Sequence, residues 1–373
     1  MKKILVVFGT RPEAIKMAPV VLALKQAPHF DCRVAVTAQH REMLDQVLDL
    51  FGIVPDHDLD IMRDRQSLFD ITTRALDGLR RVLELENPDM VLVHGDTTTT
   101  FCGALAAFYR QIPVGHVEAG LRTRNKFSPF PEEINRHLTG VLADLHFAPT
   151  RRAWDNLLRE GVDESAILVT GNTVIDALLA TVARLGPDPE PAPPGRTLLV
   201  TTHRRENLGA PLREVYRALA ALVRRYPDVR VVFPVHRNPA VREAVQAELG
   251  GLPRVTLTEP LAYLDFVREL RRCHIVLTDS GGLQEEAPSL GKPVLVLRGT
   301  TERPEAVEAG TVRLVGTAYD AVYGAAVELL EDDAAYRRMA EAVNPYGDGR
   351  AAGRIMAALE KFLSVQGGTR LNP

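Results

Sequence analysis

The stretch HIVLTDSGGLQEEAPSLGKPVLVLRGTTERPEA, His274 to Ala306, decides how the chain is read. Ile275-Val276-Leu277 has the length and composition of a buried strand. It ends at Thr278-Asp279-Ser280, two glycines follow, and the next residues read as a helix carrying Glu285 and Glu286. A strand, a polar turn and a helix start bring unpaired N–H groups and the positive end of a helix dipole to one place, which suits an anion. Gly281 and Gly282 are expected to serve by tolerating positive φ and letting a phosphate approach the backbone closely. A further strand, Val294 to Leu297, leads to a loop with Arg303, whose charge suits the same anion. Glu286 stands where a carboxylate can accept from the two hydroxyls of a ribose. Taken alone, the pattern fits a plain capped strand–turn–helix equally well, with Asp279 or Ser280 as the N-cap.

Working outward, the same plan recurs. Ile4 to Phe8 reads as a buried strand, and Gly9-Thr10-Arg11-Pro12-Glu13 opens a helix. Thr10 and Glu13 have capping-box spacing, with Pro12 in the first turn, and Pro19 predicts a kink. Arg11 and Lys16 put two positive charges at the C-terminal end of that strand, the edge where open α/β sheets bind ligands. Met90 to Val93 runs into His94-Gly95-Asp96 and four threonines, of which Thr97 or Thr98 is expected to cap a helix. Ile112 to Val117 ends at Glu118. Glu132 opens a helix and precedes Arg136 by four residues, so the spacing predicts mutual support on one face. In the second half, Thr197 to Thr201 leads into His203-Arg204-Arg205-Glu206, and Val229 to Phe233 ends at Pro234-Val235-His236.

Strands alternating with helices in two matching halves predict an α/β chain of two Rossmann-like domains facing a central cleft. The expected boundary is the Thr170-Gly171-Asn172 turn, giving domains 1–171 and 172–373, just before a proline-rich loop from Pro187 to Pro194. The last amphipathic helix, 353–364, is expected to pack back on the first domain.

A chain of 373 residues has room for about two such cores. Its formal charge of −3 argues against a broad electrostatic footprint for nucleic acid or an anionic membrane. Three scattered cysteines beside apolar runs (Cys32, Cys102, Cys273) read as reduced core thiols. The apolar run after Lys3 is too short for a signal peptide and no segment is long enough to span a membrane, so a cytoplasmic protein is expected. Neither G-x-G-x-x-G nor a P-loop is present, no Cys/His spacing suggests a metal, and the D-x-D spacings of Asp56 to Asp60 read as a solvated loop, so no cofactor is expected. What the strand ends do collect is Arg11, Lys16, Asp96, Glu118, Glu132, Arg136, His203, Arg204, Ser280, Glu286 and Arg303. Cations from both halves suit a diphosphate, and three carboxylates suit acid/base work on the group attached to it. A nucleotide sugar fits both.

Over nearly its whole length the sequence resembles bacterial non-hydrolysing UDP-N-acetylglucosamine 2-epimerases. The blocks that carry the resemblance are FGTRPEAIKMAP (8–19), TAQHREML (37–44), VHGDTTTT (93–100), GHVEAGLRT (115–123), PFPEEINR (129–136), TGNTVIDAL (170–178), HRRENLG (203–209), PVHRNP (234–239), TDSGGLQEEAPSLGKPVLVLR (278–298) and TTERPEA (300–306). The resemblance implies a glycosyltransferase-B fold, a homodimer, no metal and no nicotinamide. It implies epimerisation at C-2 of UDP-GlcNAc to UDP-ManNAc through loss of UDP, a 2-acetamidoglucal and re-addition, supplying ManNAc units for a bacterial surface polysaccharide. Arg11, Lys16, His203, Ser280, Gly281, Gly282 and Arg303 would hold the departing diphosphate and Glu286 the ribose. Asp96, Glu118 and Glu132 would be the acid/base set, with Arg136 orienting Glu132. Gln39, His40, Arg65, Gln66, Arg204, Glu206 and His236 match an allosteric UDP-GlcNAc site of some relatives. Gly299 departs from the pattern, since many relatives have Asp there. The rival readings are a hydrolysing epimerase that releases ManNAc, a glycosyltransferase that needs an acceptor, and a nucleotide-sugar sensor without catalysis.

Overall fold

A computed structural model describes residues 1–38, 41–63, 65–187, 195–204 and 207–365. They fall into two compact units, Met1–Ala177 with the chain from Tyr346 onward, and Leu178–Pro345.

In the first unit, β1 (Lys2–Phe8), β2 (Phe30–Val36), β3 (His57–Asp58), β4 (Met90–His94), β5 (Val114–Val117), β6 (Leu145–Ala148) and β7 (Ile167–Val169) form one sheet in the order β3-β2-β1-β4-β5-β6-β7. Every neighbouring pair is parallel. Parallel sheets are covered on both faces, so their central strands are apolar throughout. Ile4 to Phe8 and Met90 to Val93 accordingly expose almost nothing. The crossover helices are α1 (Arg11–Gln26), α2 (Arg41–Phe51), α3 (Leu68–Glu86), α4 (Thr98–Tyr109), α5 (Glu132–Leu142) and α6 (Arg151–Arg159), and α7 (Thr173–Leu185) leads out. The division between units lies inside α7, past the Gly171 turn. Helix α1 runs uninterrupted through Pro19. Thr97 caps α4 by accepting from the Thr100 N–H.

In the second unit, β8 (Arg196–Thr201), β9 (Val229–Pro234), β10 (Val255–Thr258), β11 (Ile275–Thr278), β12 (Val294–Val296) and β13 (Val312–Leu314) form a second parallel sheet, ordered β10-β9-β8-β11-β12-β13. Leu198, Val200, Val231, Phe233, Ile275, Leu277 and Leu295 pack with Leu212, Val215, Tyr216 and Leu219 of α8 (Ala210–Arg225) in its core. The other helices are α9 (Pro239–Leu249), α10 (Tyr263–Arg272), α11 (Leu283–Glu286), α12 (Pro304–Glu308), α13 (Tyr319–Glu331) and α14 (Asp333–Ala340).

Two expectations for the opening stretch need correction. The helix after Gly282 is a single α turn, continued by a 3-10 turn over Ala287–Leu290. Pro288 has no N–H to extend the α pattern, and Gly291 at φ 65° ends it. So short a helix carries little dipole. Nor do Gly281 and Gly282 adopt positive φ; Gly282 is right-handed helical. Nor does space require glycine there, since a Cβ on Gly281 would meet the Arg303 guanidinium carbon at an ordinary contact distance of 3.6 Å.

The chain re-enters the first unit through Tyr346, whose carbonyl accepts from the Asn172 N–H at 2.7 Å. Gly171 and Gly347 cross there with positive φ and no room for side chains, a Cβ on either meeting the other's Cα at 3.2 Å. The closing helix α15 (Ala351–Val365) packs on α1, its first N–H groups capped by buried Asp176. Among the described residues no helix is long and apolar enough to cross a membrane.

Candidate functional site

In each sheet the register brings several strand ends level, and polar side chains gather at that C-terminal edge. In the first unit β4 ends at His94 opposite Val117 of β5, so the turns that follow lie side by side. Glu118, just past β5, is buried with its backbone at φ 62°. That left-handed conformation costs a non-glycine residue about 1–2 kcal/mol and signals a constrained position. Its carboxylate accepts from Lys16 Nζ at 2.6 and 2.8 Å and from Asn172 Nδ2 at 3.0 Å. His94 Nε2 lies 3.0 Å from its second oxygen, off line for a hydrogen bond. Burial alone would raise the Glu118 pKa; Lys16 and then His94 outweigh it and hold the carboxyl well below the usual range.

Asp96, two residues past β4, is bound by Arg136 Nη2, and its carbonyl accepts from Asn135 Nδ2 at 3.0 Å. Arg136 also reaches Glu133 at 3.2 Å. The predicted Arg136–Glu132 support is therefore replaced by Arg136–Asp96 and Arg136–Glu133. Glu133 is the buried carboxylate, gathering the Thr123 and Arg124 N–H groups. A guanidinium gains more from a partner shielded from water than from its half-exposed neighbour. Among the described residues the Glu132 carboxylate has no hydrogen-bond partner. Below these turns, Glu13 ties the edge together. One oxygen accepts from the Gly9 and Thr10 N–H groups at 3.0 and 2.8 Å, and the other from the Thr97 and Thr100 hydroxyls at 2.7 and 3.1 Å. Arg11 stands at the start of the same helix, half-buried.

In the second unit Thr201 of β8 pairs with Thr278 of β11, and Thr278 with Val296 of β12. Asp279, fully buried after β11, accepts the His203 N–H at 3.0 Å and the Arg204 N–H at 2.9 Å, and lies 2.9 Å from His203 Nδ1. Burial would raise its pKa, but His203 and the two amide N–H groups hold it below the ordinary carboxylate range. Arg303 Nε donates to buried Glu285 at 2.6 Å, and Glu286 is buried beside it. Ser280, Gln284, Thr301 and Arg303 form a chain, with Gln284 Nε2 on the Ser280 carbonyl, the Thr301 hydroxyl on Gln284 Oε1 and the Arg303 N–H on that hydroxyl. Gln284 and Thr301 thus lock the loop that carries Arg303 to the loop that carries Ser280. Arg204 Nη2 comes within 4.0 Å of Glu302.

Of the expected effector residues, Gln39, His40 and Glu206 lie outside the described residues. Arg65 is exposed at φ 54°, Gln66 accepts from the Arg63 N–H at 3.1 Å, and the exposed His236 accepts from the Asn238 N–H. Reading the sequence misses His94, Asn172, Glu133 and Asp279 as members of the site. Each is a polar residue at a strand end or helix start, which is a weak signal until a partner far away in sequence is known.

The family model for UDP-N-acetylglucosamine 2-epimerase matches residues 22–360. The chain is 58% identical to the UDP-N-acetylglucosamine 2-epimerase of Bacillus subtilis over 96% of its own length and 94% of the relative's. It is 56% identical to that of Escherichia coli K12, over 96% of this chain and 98% of the other. In fold it is similar to the crystal structure of the Neisseria meningitidis UDP-GlcNAc 2-epimerase bound to UDP-GlcNAc, at a TM-score of 0.89 and 51% identity, covering 96% of this chain and all of that one. With a match that runs almost from end to end, this chain belongs to the UDP-N-acetylglucosamine 2-epimerase family.

Proposed function

We propose that the protein interconverts UDP-GlcNAc and UDP-ManNAc by eliminating UDP and adding it back. The hydrogen at C-2 is not next to a carbonyl, so removing it from the intact sugar is hard. As the C-1–oxygen bond breaks, its electron pair leaves with UDP, and the growing positive charge at C-1 makes the C-2 hydrogen acidic. A carboxylate takes that proton and leaves the 2-acetamidoglucal. Delivery of a proton to the other face of C-2, with return of the diphosphate oxygen to C-1, completes the inversion.

The observation that carries this reading is the pair of carboxylates after adjacent strands, each held on a cation: Glu118 on Lys16 and Asp96 on Arg136. With Glu132 they form the acid/base set. Arg11, Lys16, His203, Ser280 to Gly282 and Arg303 stabilise the departing diphosphate electrostatically, and Glu286 takes the ribose. The solved relative with UDP-GlcNAc bound supports that choice of substrate.

The decisive experiment is incubation with UDP-GlcNAc alone in heavy water, followed by NMR of the sugar. UDP-ManNAc carrying deuterium at C-2 is expected. Release of free sugar would point to a hydrolysing enzyme, turnover only with an acceptor to a glycosyltransferase, and no turnover to a sensor. Asp96→Asn, Glu118→Gln and Glu132→Gln should each cripple turnover while leaving UDP binding largely intact, and full activity in any of them removes that residue from the set.

The reading extends to a second, activating UDP-GlcNAc at Gln39, His40, Arg65, Gln66, Arg204, Glu206 and His236. UDP-ManNAc alone should then react slowly until UDP-GlcNAc is added; prompt hyperbolic kinetics would refute this. It extends also to a homodimer. Phe127, Phe130, Ile134, Leu138 and Val141 are all exposed, and the last three repeat at helical spacing along α5. Light scattering should report twice the mass of one chain. The product is proposed to feed a bacterial surface polysaccharide.

A further inference from the structure

The sequence presents Asp279 only as a candidate cap, and the reaction scheme leaves it without a part. Yet its carboxylate is wholly shielded from water and is met by the His203 and Arg204 N–H groups, by Asn207 Nδ2 at 3.4 Å and by His203 Nδ1 at 2.9 Å. The amides alone would be satisfied by any neutral acceptor. His203 Nδ1 lies 2.9 Å from Oδ1, off line for a hydrogen bond yet close enough that two facing lone pairs would repel. A carboxylate oxygen accepts and does not donate, so the ring nitrogen facing it has to carry hydrogen. Nε2 is then the nitrogen left to meet a ligand, on a side chain that is 41% exposed.

We propose that Asp279 is a positioning residue that holds His203 in its Nδ1–H form and stabilises the imidazolium, so that Nε2 offers a proton and a positive charge to the diphosphate of UDP. This rests on the reading of His203 as a diphosphate ligand. When UDP binds, His203 takes one proton from solvent; nothing is transferred covalently, and the leaving oxygen gains a charged hydrogen-bond donor. The neighbouring groups are consistent with one cation at this position. From the loop after β9 the His236 ring stands 6.2 Å away. Burial, and then the neighbouring His203, lower the pKa of His236. From the loop after β12 Glu302 pairs with Arg298 at 2.7 Å and faces Arg204 at 4.0 Å, while Arg242 on α9 is held by Glu259. Among the described residues, Asp279 is thus the carboxylate that faces the His203 ring.

The test uses the full-length protein and two variants, Asp279→Asn and Asp279→Ser, which keep an oxygen for the amides but remove the charge. In the free wild type, nitrogen-15 spectra should show hydrogen on His203 Nδ1, and both variants should shift the ring toward the Nε2–H tautomer. Calorimetric titration with UDP near pH 7.5, in buffers of different ionisation enthalpy, should show proton uptake by the wild type. The variants should lose that uptake and bind roughly tenfold more weakly, and adding Asp279→Asn to His203→Asn should weaken binding no further. An unchanged tautomer, wild-type proton uptake in the variants, or additive losses in the double variant would overturn the proposal. Failure of the wild type to bind UDP while the tautomer result holds would count instead against His203 as a diphosphate ligand.

Discussion

Replacing Lys16 with Met tests the electrostatic account of the first unit, since it keeps the length of the stem and removes the charge. Glu118 would keep Asn172 and His94, both at 3.0 Å, but lose the ammonium that contacts both its oxygens. Removing one partner of a buried ion pair typically costs about 3–5 kcal/mol. Protonation sets a ceiling, because neutralising a carboxyl of ordinary pKa at pH 7 costs roughly 3.7 kcal/mol. The expected loss is therefore about 3 kcal/mol, or a fall in the melting temperature of the first unit of roughly 6–12 °C. The pH dependence follows from the direction of the shift. In the wild type the Glu118 pKa is depressed, so its stabilisation is full above about pH 4.3 and is lost as pH falls through the lower folded value. In the variant burial is unopposed by Lys16 and the carboxyl prefers to be neutral, so acid relieves it. The deficit should shrink by up to about 1.4 kcal/mol for each pH unit below 7. Calorimetric melts at pH 7 and pH 5.5 measure this, and Lys16→Met with Glu118→Gln should recover much of the loss. A variant that melts within about 2 °C of the wild type, or a deficit equal at both pH values, would refute the reasoning.

Gly120→Ala should cost about 3 kcal/mol or more, because φ is 89° and the new Cβ would sit 2.2 Å from the Ala153 carbonyl oxygen; urea unfolding measures it. His116 and His146 are buried, and burial lowers their pKa values to about 3 and about 4. The unfolded chain binds these protons below about pH 6.5 and the folded one does not, so stability should fall between there and pH 4 by up to about 2.7 kcal/mol per unit for the pair. His146→Gln should reduce that slope by about half, as read from denaturant titrations across the range. Burial pushes the thiols of Cys32, Cys102 and Cys273 up to about 12, so a thiol reagent at pH 8 should label none of them until the protein is denatured.

The alternation of apolar strands with amphipathic helices is legible in the chain because a parallel sheet buried on both faces demands uninterrupted runs such as Ile4 to Phe8 and Ile275 to Leu277. That local demand also places basic and acidic residues at strand ends, which is why Lys16, Asp96, Glu118 and His203 are visible as candidates. The edge strands β10 and β13 are not legible in the same way, since Val255–Thr258 and Val312–Leu314 are short and only partly buried.

Sequence by itself thus determined the fold class, the two-sheet plan and the residue types at the site, all of which depend on spacing along the chain. Tertiary structure decided who meets whom. It sent Arg136 to Asp96 and Glu133 instead of Glu132, turned Asp279 from a cap into the partner of His203, and set Asn172 and His94 around Glu118. The physical reason is the same in each case. An ion pair or hydrogen bond is strong where water is excluded, and exclusion of water is a property of strands packed side by side, not of neighbours along a chain.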